Sequence, residues 1–182
     1  TGKCLRLQIS NPTKAPLEYQ IENAYHLTSL NDKLQDLITT ENLLVVLAPG
    51  QSRDIELNAL CGEKNNAAPS ETDTFTLSYR HTAGIERLTA LLENLHEWNN
   101  TAQQAMWCFT DQNPLDAIYD THPDTLLENK LVALVAKEKN LPIPARQTRT
   151  TPHRIIRYPL ELEGSHAEQI ERTTTIGFYI TD

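Results

Sequence analysis

The sequence predicts an α+β fold: an N-terminal immunoglobulin-like β-sandwich, a helical middle segment and a C-terminal β-hairpin. Two observations carry this. Up to about residue 80, apolar residues alternate at period two in short runs separated by turns, as half-buried strands do. From Ile85 the spacing changes to i, i+3, i+4, the stripe of an amphipathic helix. The boundaries that follow are 1–80 for the β-sandwich-like region, 81–141 for the helical region and 142–182 for a linker and hairpin, which is expected to pack on the first sheet or begin a further module.

Cys4 to Ser10 alternates apolar and polar, and Asn11-Pro12-Thr13 then marks a turn. Leu17 to Ile21 alternates again. Leu43 to Leu47 is a continuous apolar run ending at Ala48-Pro49-Gly50, and Arg53 to Leu57 resumes the alternation towards Cys61. Phe75 to Tyr79 is a further strand candidate. Between Tyr25-His26 and Ile38 the interleaved Leu30, Leu34 and Leu37 fit a short helix or an insertion between strands, with a loop there as a candidate binding surface.

In the helical region Ile85, Leu88, Leu91, Leu92 and Leu95 share one face, and His96 is placed on the polar side. Thr101 is expected to cap a second helix, with Gln104 completing a capping box. Asn113-Pro114 with Asp116 signals another start. Asp124 to about Lys139 forms a longer helix, with Leu127, Leu131, Leu134 and Val135 on one side and Asn140 and Pro142 ending it. Arg154–Glu163 and Thr173–Thr181 are the strands of the hairpin.

Charge narrows the partners. Lys and Arg number 16 against 24 Asp and Glu, a net charge of -8, whereas nucleic acid and anionic membranes demand basic surfaces. No apolar stretch approaches the roughly 18 residues of a membrane span, so neither nucleic-acid binding nor membrane insertion is expected. The start at Thr1 is read as the loss of an upstream segment such as a signal peptide, and the strand-like end at Asp182 as a sign of further domains in a larger chain.

Enzyme signatures are missing: there is no G-x-S-x-G, P-loop, G-x-G-x-x-G or H-E-x-x-H. The histidines are dispersed, so neither a metal nor a cofactor is expected. Asp111, Asp116, Asp120 and Asp124 gather around helix connections and read as caps. Cys4, Cys61 and Cys108 form no C-x-x-C pair. A Cys4–Cys61 disulfide with Cys108 buried and free suits an oxidising compartment.

One constellation is sharper. Leu60-Cys61 is followed by seven residues and then Pro69, and a later helix start reads Ala102-Gln103-Gln104-Ala105-Met106-Trp107. The two blocks resemble the thioester domains of bacterial surface adhesins, with Ala102 where that family tends to have Thr and Met106 in place of Ile. The resemblance implies that Cys61 is the thiol and Gln103 the acyl donor of an internal thioester open to attack by a surface amine, with Trp107 packing the helix behind it. Backbone N–H groups at the start of the Gln103 helix are the expected oxyanion donors.

The expected function is therefore a secreted or surface-displayed binding or adhesion module. Its partner would be a protein or glycan at a cell surface. One alternative is a structural or anchoring domain of a larger extracellular protein, stapled by Cys4–Cys61 and without chemistry. A second is a small hydrolase or transferase using Cys61 or Cys108 with a spatially adjacent His.

Overall fold

A computed structural model describes residues 2–119 and 125–145, all within one compact unit spanning residues 1–147. The architecture is α+β. Seven strands, β1 (Gly2–Ser10), β2 (Leu17–Ile21), β3 (Tyr25–Ser29), β4 (Leu37–Thr39), β5 (Leu43–Leu47), β6 (Ser52–Cys61) and β7 (Phe75–Arg80), precede three helices, α1 (Gly84–Leu95), α2 (Asn100–Thr110) and α3 (Thr125–Lys139). A 3-10 turn, Leu115–Ile118, joins the last two helices. The proposed hairpin strands 154–163 and 173–181 lie outside the described residues, as do Asp120 and Asp124.

The strands form a five-stranded antiparallel sheet in the order β1-β6-β4-β3-β7 and a separate ribbon, β2-β5. Alternation along the strands gives the large sheet two apolar faces. On one, Leu5, Leu27, Leu37, Leu57 and Ala59 cluster with Cys61 and Phe75. The ribbon covers part of this face through Val45 and Leu47, which pack with Ile55, Leu7 and Ile9. On the other, Ile38 and Leu60 join the helical core of Leu88, Leu92, Met106, Leu131 and Val135. The helices therefore sit against the β4–β6 part of the sheet, which a two-sided burial of β4 (all three residues buried) reflects.

The turns follow from the residues. Gly50 adopts φ +71° in the turn between β5 and β6, a conformation without a Cβ penalty only for glycine. Asn11, buried, spans the end of β1 and that turn: its Nδ2 donates to Ala15 O, Leu47 O and Ala48 O at 2.8–3.1 Å, and its Oδ1 accepts from Thr13 N.

Two expectations need correction, and one choice is decided. The segment between Tyr25 and Ile38, which fits a short helix or an insertion between strands, forms β3 and β4 joined by a loop: Leu27 pairs with Leu37 in the sheet, and Leu30 is exposed in the loop. Helix α2 starts at Asn100 and is capped by Asn99, whose Oδ1 accepts from Ala102 N at 3.1 Å. Thr101 lies inside the first turn, and Gln104 accepts from Asn113 Nδ2 at 2.8 Å, so no capping box forms. His96 is the left-handed residue that ends α1, with φ 55°, so it is not on a helical face.

Candidate functional site

Cys61 is the last residue of β6, and its backbone has an unusual partner. Within the β4–β6 ladder Leu37 stands opposite Cys61, while Gly62 N donates to Asp36 O at 2.7 Å. Leu37 and Cys61 are therefore a non-hydrogen-bonded pair, and the Cys61 N–H and C=O point away from β4. There the two groups meet the Gln103 side chain, an amide that imitates a strand. Cys61 N–H donates to Gln103 Oε1 at 2.9 Å, and Gln103 Nε2 donates to Cys61 O at 2.8 Å. Gln103 is only 4% exposed, held on the fourth residue of α2 by the Asn99 cap below it.

The structure thus brings Cys61 and Gln103 together across 42 residues of chain. Trp107, one turn beyond Gln103, is half-buried, and its shielded Nε1 finds no partner among the described residues. Pro69 lines a cleft of about 800 Å³ on the ribbon-side face of the sheet, together with Cys61, Cys4, Leu37 and Phe75. Helix α2 approaches β6 from one direction; the cleft opens on the Cys61 side chain from another. The expected oxyanion donors are placed differently from the sequence-based expectation: the N–H on the Gln103 carbonyl oxygen is that of Cys61 itself, not one from the first turn of α2.

All three cysteines are free thiols in this structure. Cys4 sits at a bulge in β1, where the register shifts between Lys3 and Leu5, and its Sγ donates to Ala59 O at 3.3 Å. Burial, then the neighbouring Cys4, pushes the Cys61 thiol above its ordinary range. A thiol so placed is a weak nucleophile towards dissolved electrophiles. Cys108 is buried, donates to Pro114 O, and is pushed up to about 11, chiefly by burial.

The segment after Cys61 is clamped by groups that sequence spacing did not single out. Asp36 N donates to Glu63 Oε2 at 2.6 Å, and Lys64 N and Nζ donate to Asp111 Oδ2 and Asn113 Oδ1. Asp36 also accepts from Ser29 N and bonds His26 Nε2, both at 2.7 Å. His26 Nδ1 meets His81 Nε2 at 3.1 Å, and the Tyr79 ring stacks on His26 at 4.8 Å. The assignment satisfying both bonds gives His26 its proton on Nε2, leaving Nδ1 to accept from His81. Burial, then His26, lowers the His81 pKa, and burial first of all raises that of Glu63. The signal was concealed because His26 and His81 lie 55 residues apart and meet only through the β3–β7 pairing.

Among the described residues no group of three His, Cys, Asp or Glu side chains is placed to hold a metal ion, and no helix is long and apolar enough to cross a membrane. No family model, curated protein or solved structure matches this chain.

Proposed function

We propose that this chain is a secreted or surface-displayed adhesion module in which Cys61 and Gln103 form an internal thioester for covalent attachment to a surface partner. One observation carries the reading: the buried Gln103 carboxamide is held on the backbone of Cys61 by two hydrogen bonds. In bond formation the Cys61 sulfur adds to Gln103 Cδ, the thiol proton goes to the departing nitrogen, and ammonia leaves. An amine from the partner then attacks the same carbon; the C–S bond breaks, an amide forms, and the thiol is returned to Cys61. Both steps place negative charge on Gln103 Oε1, where the Cys61 N–H already points, so that donor needs no rearrangement to stabilise it. Holding the groups together supplies the remaining advantage, since the reaction becomes intramolecular.

The immunoglobulin-like description of the β half belongs to the same reading, supported by the ribbon that packs on one face of the larger sheet. An extracellular setting follows from the attachment chemistry, and the partner is a protein or glycan at a cell surface. The anchoring alternative would use a Cys4–Cys61 bond as its staple. The thiol-enzyme alternative is disfavoured by contacts: among the described residues no histidine is hydrogen-bonded to Cys61 or Cys108.

Intact mass tests the proposal. A thioester makes the chain lighter than its sequence by one ammonia, and methylamine restores that loss by adding one methylamine. A full sequence mass in freshly purified protein, unchanged by methylamine, would overturn the reading.

A further inference from the structure

The apolar face of the large sheet runs on past its cover to the outermost strand. Leu77 on β7 stands opposite Leu27 on β3, so both point to the same side; Leu27 is 4% exposed and Leu77 60%. Thr76 to Tyr79 are all exposed, and Phe75 to Tyr79 holds neither a charge nor a proline. The backbone of this strand is also only half committed. Leu30 N donates to Thr74 O at 3.1 Å, which makes Thr74 a residue of the hydrogen-bonded kind in its ladder with β3. The two kinds alternate along an antiparallel pair, so Thr76, opposite Thr28, also turns its N–H and C=O to β3. Those of Phe75 and Leu77 point the other way. Among the described residues β7 is the last strand on that side, and an edge of this kind is a template for another strand.

We infer that the occupant is β7 of a second copy of this chain, paired antiparallel about a two-fold axis at Thr76 so that two five-stranded sheets join edge to edge. The stretch Thr74-Phe75-Thr76-Leu77-Ser78 is its own complement: read from either end it runs hydroxyl, apolar, hydroxyl, apolar, hydroxyl. In this register Phe75 of each copy lies opposite Leu77 of the other. These are the residues whose backbone groups point outward, so each such pair exchanges both of its N–H···O bonds. A slip of one residue would set outward groups against inward ones. The Phe75–Leu77 pairs continue the apolar face across the axis, while Thr76 meets Thr76, and Thr74 meets Ser78, on the other face. A register centred on Leu77 would instead reach into the irregularity of β7, which carries an extra residue between Leu77 and Arg80 relative to β3. Charge favours the same arrangement. The paired stretch is uncharged, and antiparallel pairing sets the acidic run Glu71 to Asp73 of one copy beside the end of the other's β7 that carries Arg80, not beside its own like. The inference does not depend on the chemistry at Cys61.

The test uses the full chain with Thr76→Lys and Thr76→Glu. Thr76 is exposed and faces itself across the axis, so either charge meets its own kind in a like pair. Sedimentation equilibrium from micromolar to millimolar chain should show a reversible dimer of the native protein. Each variant alone should raise its Kd about fivefold, since like charges directly opposite disfavour strand pairing. An equimolar mixture of the two should associate at least as tightly as the native chain, because lysine then faces glutamate. Hydrogen exchange gives a reading without substitution. The Phe75 and Leu77 amides should slow as the native chain is concentrated, by about tenfold once nine-tenths of it is paired, whereas the Thr76 amide, already bonded to β3, should not follow. A native chain that stays monomeric to millimolar concentration overturns the inference. So does a dimer that neither variant weakens, a mixture that associates no better than its parts, or a dimer in which the Phe75 and Leu77 amides exchange as fast as in the monomer.

Discussion

Removing the Gln103 side chain gives a stability change whose size depends on what joins it to Cys61. Gln103→Ala deletes two hydrogen bonds and leaves the Cys61 N–H and C=O without their partners among the described residues. A net hydrogen bond contributes about 1 kcal/mol and each buried group left unpaired costs about 1–3 kcal/mol, so a loss of about 2–4 kcal/mol is expected without any covalent bond. Cys61→Ala keeps both backbone bonds and removes one half-buried sulfur, a loss of about 1 kcal/mol. A closed thioester changes the pattern. The bond from Nε2 to Cys61 O has then already left with the ammonia, and both substitutions also remove a cross-link whose ends are 42 residues apart. By the chain-entropy relation a loop of that length stabilises by about 4 kcal/mol. Cys61→Ala should then cost about 5 kcal/mol, close to Gln103→Ala in place of several-fold below it. Urea unfolding followed by tryptophan fluorescence measures both, and methylamine-treated native chain supplies the opened reference. A Gln103→Ala chain within about 0.5 kcal/mol of native would refute the claim that this amide completes the sheet.

Other substitutions test the framework. Adding a methyl at Gly84 drives Cβ into the Phe109 ring, which must move to admit it; Gly84→Ala should destabilise by about 1–3 kcal/mol, as overpacking does, and Phe109→Leu should recover part of that in a double-mutant unfolding series. Asn99→Ala removes the cap below Gln103 and should cost about 1 kcal/mol, with a slower rise of the thioester mass after synthesis. Asn11→Ala removes the Nδ2 bonds to Ala15 O, Leu47 O and Ala48 O, of which Ala48 O keeps its bond from Gln51 N, and should cost about 1–3 kcal/mol. The pH dependence has two limbs of opposite sign. His81 is lowered in the fold, so the unfolded chain binds its proton more readily, and its contribution is complete above 6.5 and lost as pH falls below it; His81→Gln should flatten that loss in unfolding measured against pH. Glu63 is raised, so its contribution is complete below 4.5 and lost as pH rises through the folded value; Glu63→Gln, which still accepts from Asp36 N, should gain on the native chain over that interval.

Local pattern made part of this structure readable, and the exceptions share a cause. Four of the seven strands were marked by alternation over at least five residues and β5 by a continuous apolar run, while α1 and α3 were marked by apolar stripes and α2 by its cap signals. Strands β3 and β4 were not: β4 has three residues, too few to display a period, and its burial on both faces removes the alternation. The N-cap was misplaced by two positions because Asn99, Asn100 and Thr101 are all capable caps, of which Asn99 accepts from Ala102 N while Thr101 is buried inside the first turn. At the site, the residue pair Cys61 and Gln103 was visible only through the two-block resemblance. The mode of contact was not: that Gln103 would meet the Cys61 backbone depends on how α2 packs against β6. The His26–Asp36–Glu63 clamp was invisible because it is assembled from strand β3 and the separate loops before β4 and after β6.

The strand-like role of Gln103 also explains why this residue type stands there. A true strand neighbour would satisfy the Cys61 N–H and C=O equally well, but it would offer no activated carbon to the sulfur. A glutamate could accept from the N–H, yet an ionised carboxylate would face the Cys61 carbonyl oxygen with no proton to give. Only a carboxamide meets both backbone groups at once, and the same two bonds place its oxygen on a donor and its nitrogen on an acceptor. The N–H draws electron density towards Oε1, which makes Cδ more open to attack, while the C=O holds the nitrogen that must leave. A contact that completes a hydrogen-bond ladder and a contact that prepares acyl transfer are here the same pair of bonds. Gln103→Glu separates the two roles: it should keep the Cys61 N–H bond, lose the bond to Cys61 O, and leave the chain at its full sequence mass with no response to methylamine. A Gln103→Glu chain that still took up methylamine would show that the acyl donor lies elsewhere.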